Sequence, residues 1–385
     1  MPRILKNIHT DSQSNTSAMH IKALVITIIL TAAACFNLSA AVDTLSTDKK
    51  DSEDSKFLRF ISEKVTVSGY AQAGFQYDSY DIAQDKAFNK FNLSRAMIIA
   101  DIEPIKHLDL YFMADLVKFR LHELFVRYRP VDAFYIRLGQ YKTPFTIESN
   151  MSPSVLEIIK GAQAVQYLAG IDGSDACFGG GAGRDLGLEV GGAFLKIGKD
   201  NRNLIEYRVG VFNGEPFNTA ETNNRKDVVA SLALRPVSIL KLHGSVYIGE
   251  GTAKADSPYK AFQAGDTYRR NRWSAGLELK AGPVYLRSEY MEGLDATVRS
   301  RGAYATLTGS PAKFLDIVAS VDYLDRNISL NDWQCNYIIG LQWNIYRKCR
   351  LQAQYVYQQR SRNSEGIYSG IPSSHMLITQ LQVGF

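Results

Sequence analysis

From residue 64 to its end, this chain repeatedly alternates apolar and polar residues one by one, and that period leaves few folds open. Val65, Val67, Gly69, Ala71, Ala73, Phe75 and Tyr77 interleave with Thr66, Ser68, Tyr70, Gln72, Gly74, Gln76 and Asp78. Leu377, Thr379, Leu381, Val383 and Phe385 interleave with Ile378, Gln380, Gln382 and Gly384. A helix needs a period of 3.6, whereas a strand with one apolar and one polar face needs a period of two. The pattern predicts about sixteen strands, at 64–78, 89–103, 107–117, 121–129, 133–141, 184–197, 203–213, 227–235, 239–249, 271–281, 283–291, 300–310, 313–323, 335–345, 349–359 and 375–385.

The connections narrow the choice further. Short ones, at 103–107, 129–132, 198–202, 235–238, 281–282, 310–312 and 346–348, alternate with connections of mostly eight to about forty residues, with one short exception near 118–120. Prolines 104, 130, 236, 283 and 311 mark five short turns or their edges, where a missing amide donor does little harm. A soluble sandwich or propeller has no reason to sort its connections this way. An all-β, transmembrane, antiparallel up-and-down β-barrel of about 16 strands does, with short periplasmic turns and long external loops. Closure also satisfies every backbone donor and acceptor in lipid.

Charges on the polar face sharpen the expectation. Arg127 and Arg129, Arg137, Glu189, Glu206 with Arg208, Lys241, Arg272, Glu278 with Lys280, Arg287 with Glu289, and Arg350 would each be costly in lipid. They are expected to line a wet lumen, which sixteen strands make wide enough for an aqueous channel. Passive diffusion of small hydrophilic solutes follows, with lumenal charge setting ion preference. The 21 tyrosines gain a place at the membrane–water boundary; Tyr77, Tyr111, Tyr128, Tyr207, Tyr290, Tyr323, Trp343 and Tyr357 are the girdle candidates.

The N-terminus reads as an export signal: Met19-His-Ile-Lys22, the apolar run from Ala23 to Ala34, then small residues to Ala41. Residues 1–41 are therefore an N-terminal extension and signal peptide with Met19 as the start, 42–63 a charged lead-in, and 64–385 the barrel domain. Removing residues 1–40 lowers the formal charge from +5 to +3, so overall charge names no partner. Cys177, Cys335 and Cys349 lack metal-ligand spacing, and no metal or cofactor is indicated. The terminal Phe385 after alternating apolar residues fits recognition by barrel-assembly machinery.

The longest connection, 142–183, is apolar enough to fold inward and narrow the pore. Its glycine run 179–183 lacks the Lys-Ser/Thr of a phosphate loop and leads into a strand.

Phe91-Asn-Leu-Ser-Arg-Ala96, Leu121-His-Glu-Leu-Phe-Val-Arg-Tyr-Arg129, Leu138-Gly-Gln-Tyr-Lys-Thr-Pro-Phe145 with Glu148 and Ser152, and Arg184-Asp-Leu-Gly-Leu188 together resemble the phosphate-selective porin O and P family. The resemblance implies a 16-stranded, usually trimeric porin of the bacterial outer membrane that passes anions including phosphate and polyphosphate. His122-Glu123 stands where that family often has Lys-Asp, and Arg95 stands alone where a pair is common. Both changes remove positive charge, so a general or weakly anion-preferring channel is expected rather than strict phosphate selectivity.

Arg95, Lys118, Arg120, Arg127, Arg129, Arg137, Lys142, Lys160 and Arg184 are the expected pore-lining, anion-binding residues. The competing expectation is that they form structural ion pairs with Glu123, Glu148, Asp185 and Glu189. Arg95 breaks the alternation of its strand, which leaves its direction open. An enzyme is not expected, since His107, His122, His243 and His375 form no zinc-type pair and no Gly-x-Ser-x-Gly elbow occurs. The alternatives are a surface adhesin or glycan-binding barrel and an outer-membrane phospholipase, which would need a Ser/His pair on an outer barrel face. The expected partners are small anionic or hydrophilic solutes, outer-membrane lipid and two further copies of the chain; nucleic acid is not among them.

Overall fold

The computed structural model describes residues 60, 62–173, 181–221, 224–362 and 365–385. The signal peptide and proposed start, the lead-in up to residue 59, Cys177 and glycines 179–180 lie outside the described residues.

Sixteen strands form one closed antiparallel barrel. They are β1 (Val65–Asp81), β2 (Lys86–Ile105), β3 (Leu108–Asp115), β4 (Arg120–Val131), β5 (Phe134–Lys142), β6 (Arg184–Ile197), β7 (Arg202–Phe212) and β8 (Asp227–Val237). Continuing, they are β9 (Leu240–Thr252), β10 (Thr267–Ala281), β11 (Val284–Asp295), β12 (Val298–Ala312), β13 (Leu315–Asp325), β14 (Trp333–Tyr346), β15 (Cys349–Arg360) and β16 (Ser374–Gly384). Each pairs with its sequence neighbour, and β16 closes on β1 with Tyr70 opposite Gly384 and Asp78 opposite Met376. No described helix is long and apolar enough to cross a membrane.

Alternation sets which side chains face out. On β13, Ile317 and Val321 are exposed while Val318, Ser320 and Asp322 are buried. On β14, Tyr337, Ile339, Leu341 and Trp343 are exposed while Gln334, Asn336, Ile338 and Gln342 are buried. The outward face is thus an apolar band, and the inward face is largely polar.

Six of the seven connections at one end are two residues long, and the seventh spans 198–201. They are shorter than expected because the strands run past their prolines. Pro104, Pro130, Pro236 and Pro311 sit inside strand ends, in register shifts at Ile102/Ile105, Tyr128/Val131, Leu234/Val237 and Gly309/Ala312. An unpaired bulge position asks for no amide donor, so proline is tolerated there. Only Pro283 lies in a turn proper.

The opposite end departs from the expectation at two places. The connections at 82–85 and 296–297 are short, because pairing continues to Asp81 opposite Lys86 and to Asp295 opposite Val298. Continued pairing satisfies backbone groups that a loop would leave to water. Tyr111 is also corrected: it faces inward, stacked on Phe125 with ring centroids 5.0 Å apart, because it occupies the polar parity of β3.

Candidate functional site

From residue 143 to 173 the long connection folds into the barrel. It begins with Thr146, whose φ of 60° turns the chain and whose hydroxyl accepts from Ser149 N at 3.1 Å, capping helix α1 (Ile147–Asn150). A second helix, α2 (Gln163–Leu168), lies against β11, β12 and β13. Phe145, Ala164, Val165 and Leu168 join Phe212, Tyr247, Met291, Tyr304 and Leu324 in an apolar cluster on the lumenal side of the wall. Two inward glycines make the seat: a Cβ on Gly302 would meet Ala164 Cβ at 2.3 Å, and one on Gly293 would meet Leu168 Cδ2 at 2.6 Å.

Polar contacts fasten the loop at its base. Arg287 on β11 donates to Glu148 at 3.0 Å and lies 2.9 Å from Glu157, so one wall cation holds two loop carboxylates. Glu289 accepts from Ile147 N at 2.7 Å, and Asp322 accepts from Gln163 N at 2.8 Å.

A wall of side-chain amides then holds the tip. Gln72 and Arg350 donate to Pro153 O, Gln382 donates to Ser154 O, and Gln352 and Gln354 donate to Glu157 O. Gln354 also accepts from Ile159 N at 3.0 Å. The tip has no regular secondary structure of its own, and the amides supply partners for its backbone.

The tip borders three cavities. An outer one of about 790 Å³, at the end with the longer loops, meets Ile159 to Gly161. A middle one of about 460 Å³ meets Asn150, Ser152 and Pro153. An inner one of about 380 Å³, at the short-turn end, meets Ser154 and Val155.

Of the nine expected basic residues, four line the middle cavity: Arg127, Arg137, Lys142 and Arg184. Arg208, outside that set, joins them. Arg127 pairs with Asp109 at 2.7 Å and Arg184 with Glu123 at 2.7 Å. Arg137 and Arg208 share the fully buried Glu189, at 2.8 and 3.0 Å. Arg137 also lies 3.7 Å over the Tyr141 ring. Lys142 donates to the Met151 carbonyl at 2.5 Å, and among the described residues no carboxylate is its hydrogen-bond partner. Lining and ion pairing therefore coexist in the same residues. Two of the anticipated acidic partners act elsewhere: Glu148 serves Arg287, and Asp185 accepts from Gly214 N and Leu186 N, both at 2.7 Å.

The remaining five are dispersed. Arg95 points inward and donates to Gln72 at 2.9 Å. Its direction is set by a bulge, since Leu93 pairs with Ala73 and Arg95 with Gln72, leaving Ser94 as the extra residue. Lys160 lines the outer cavity 3.3 Å from Met376 Sδ. Lys118 and Arg120 are exposed in and beside the β3–β4 connection, with Arg120 5.9 Å from the Phe217 ring centre. Arg129 is exposed near the β4–β5 turn.

Three of the histidines have acidic or hydroxyl neighbours. His122 is 4.0 Å from Asp115 and His243 is 3.9 Å from Glu289. On the outward face, His375 Nδ1 bonds the Tyr355 hydroxyl at 2.6 Å, and its main-chain N–H donates to Ser79.

No protein-family model and no curated relative matches the sequence. Solved structures do resemble the fold. An anion-selective porin from Comamonas acidovorans shares 11% identity at a TM-score of 0.60, over 83% of this chain and 99% of that one. The outer membrane channel DcaP of Acinetobacter baumannii shares 12% at 0.57, over 83% and 97%. The trimer form of OmpT, an outer membrane protein of Vibrio cholerae, shares 12% at 0.58, over 84% and 100%. What this chain has in common with all three is the β-barrel fold.

Proposed function

We propose that this protein is an outer-membrane porin, a passive channel for small hydrophilic solutes with a modest preference for anions, phosphate among them. One observation carries the anion preference. Five basic side chains line the middle cavity opposite the loop, with three carboxylates, Asp109, Glu123 and Glu189, to balance them. The loop does not redress that excess, because Glu148 and Glu157 are both turned to Arg287. A low-dielectric wall focuses such a field on whatever passes.

The apolar outward band supports placement in the bacterial outer membrane, reached after export with the N-terminal segment removed and assembled through recognition of Phe385. The trimer form among the similar structures supports a homotrimer. Purified protein in a planar bilayer tests the reading. Stepwise openings are expected, and a KCl gradient should give a reversal potential on the chloride side. A silent bilayer with intact barrel sinks the channel, and a cation-side reversal potential sinks the anion preference.

A further inference from the structure

The amides that hold the loop tip are not all the amides of that arc. Toward the long-loop end, the outer cavity of about 790 Å³ is walled by further side-chain amides from β1, β14, β15, β16 and helix α2. Its volume lies in the range of small-molecule sites, about 300–1,000 Å³. The charged groups of its wall are already engaged with the protein. Arg360 spends its three guanidinium nitrogens on Gln334 Oε1 at 3.0 Å, Gln358 Oε1 at 2.9 Å, Ser374 Oγ at 3.2 Å and Pro372 O. Arg95 donates to Gln72, and Arg326 lies 5.0 and 5.9 Å from the ring centres of Tyr167 and Tyr368. Asp81 accepts from Ala83 N and Gln84 N, Asp78 accepts from Tyr80 N, and Asp172 lies in the field of Arg326.

The neutral groups divide differently. Gln334 donates to Gln163 Oε1 at 3.2 Å and to Asn336 Oδ1 at 3.0 Å, and Gln358 donates to the same Asn336 oxygen at 3.3 Å, so this part of the wall is a fixed network. Two amides are left over. Gln76 on β1 and Gln166 on α2 both line the cavity, and among the described residues neither side chain has a hydrogen-bond partner. The Gln166 amide lies over Gly161, where a Cβ would meet its Nε2 at 2.6 Å. An amide held away from bulk water costs free energy unless something in the cavity bonds it. Ile159, Ile367 and Met376 add an apolar strip to the same wall.

We propose that the outer cavity binds a neutral sugar of one or two rings, with Gln76 and Gln166 bonding its hydroxyls and the apolar strip covering the C–H face of a ring. A primary amide presents a donor and an acceptor side by side, and neighbouring hydroxyls, which both donate and accept, match that pair. Lys160, whose hydrogen bond goes to Met376 Sδ at 3.3 Å, supplies one more donor from the loop tip. An anion finds the Arg360 guanidinium already spent. The site rests on the channel reading for its place on a solute path, and not for the binding itself.

Maltose is titrated against the full chain in detergent micelles, and saturation transfer from protein to ligand protons is followed by NMR. Tetraethylene glycol, a flexible chain without neighbouring hydroxyls, is the control. Saturation of the maltose ring protons is expected, with none on the glycol. Q76L/Q166L should raise the half-saturating maltose concentration about tenfold, and each single variant about threefold. Both side chains bond nothing else among the described residues, and the single variants keep the test valid if the pair fails to fold. In a planar bilayer, maltose should lower the KCl current at smaller concentration from the long-loop side than from the short-turn side. Equal saturation of glycol and sugar, no saturation, or affinity unaltered in the variants overturns the site. Maltose binding by a barrel that passes no current would remove the channel and leave this site, whereas a conducting barrel that binds no maltose would do the reverse.

Discussion

Two arcs of the lumenal wall are polar in different ways. Across β4 to β7 the inward residues are ion pairs, Arg184 with Glu123 and Arg137 and Arg208 with Glu189, around an open cavity. Across β14 to β16 and β1 they are mostly amides, Gln72, Gln342, Gln352, Gln354, Gln380 and Gln382, bonded to one another and to the loop backbone. An amide supplies a donor and an acceptor without net charge. The amides therefore hold the loop on that side without adding charge of their own, while the other side keeps its charges for the solute path.

The largest effect should come from removing the staple at the base of the loop. Arg287→Met leaves Glu148 and Glu157 buried without their cation, a loss of about 3–5 kcal/mol for such a pair. Single-channel conductance should rise severalfold and become noisy, and protease should cut between residues 152 and 161. A quiet trace with a protected loop would mean the amide arc suffices alone.

Next in size is Glu189→Gln, which keeps shape and removes the charge shared by Arg137 and Arg208. The chloride permeability ratio should rise about two- to threefold at 0.1 M KCl and less at 1 M, where the screening length falls from ~10 to ~3 Å. No change at low salt would place the current path away from the charged arc.

A smaller change is expected from Gln354→Ala. Two neutral hydrogen bonds to the loop are lost, each worth ~1 kcal/mol. Open-channel noise should increase while the reversal potential stays put; a shifted potential would contradict the division between the arcs. Smallest of all, Arg120→Gln at the exposed rim should lower conductance slightly in dilute salt and leave selectivity unaltered.

Strand number and facing were legible in the sequence because parity is local: Gln72 beside Ala73, or Asn336 beside Tyr337, already declares inside and outside. The inward loop was legible from its length and apolar content. Its seat was not, because the partners are far apart in the chain. Arg287 meets Glu148 across 139 positions and Gln354 meets Glu157 across 197. Gly293 and Gly302, both at inward parity, were the available sign that something packs closely there. Arg208 could have joined the expected cavity residues, since it shares the polar parity of Glu206. Arg350 stood on the polar face, but nothing in the sequence says that its hydrogen-bond acceptors are two side-chain amides and a main-chain carbonyl.

The four prolines at bulges near the short turns bear on how the barrel is assembled. A strand that slips by one residue presents its arginines and glutamates to lipid and its leucines to water. A proline next to each turn has no amide with which to enter a shifted ladder, so the wrong alignment of β2 on β3, β4 on β5, β8 on β9 or β12 on β13 is penalised where each hairpin begins. The same residues that look like tolerated defects in the finished wall act as alignment marks while it is being built.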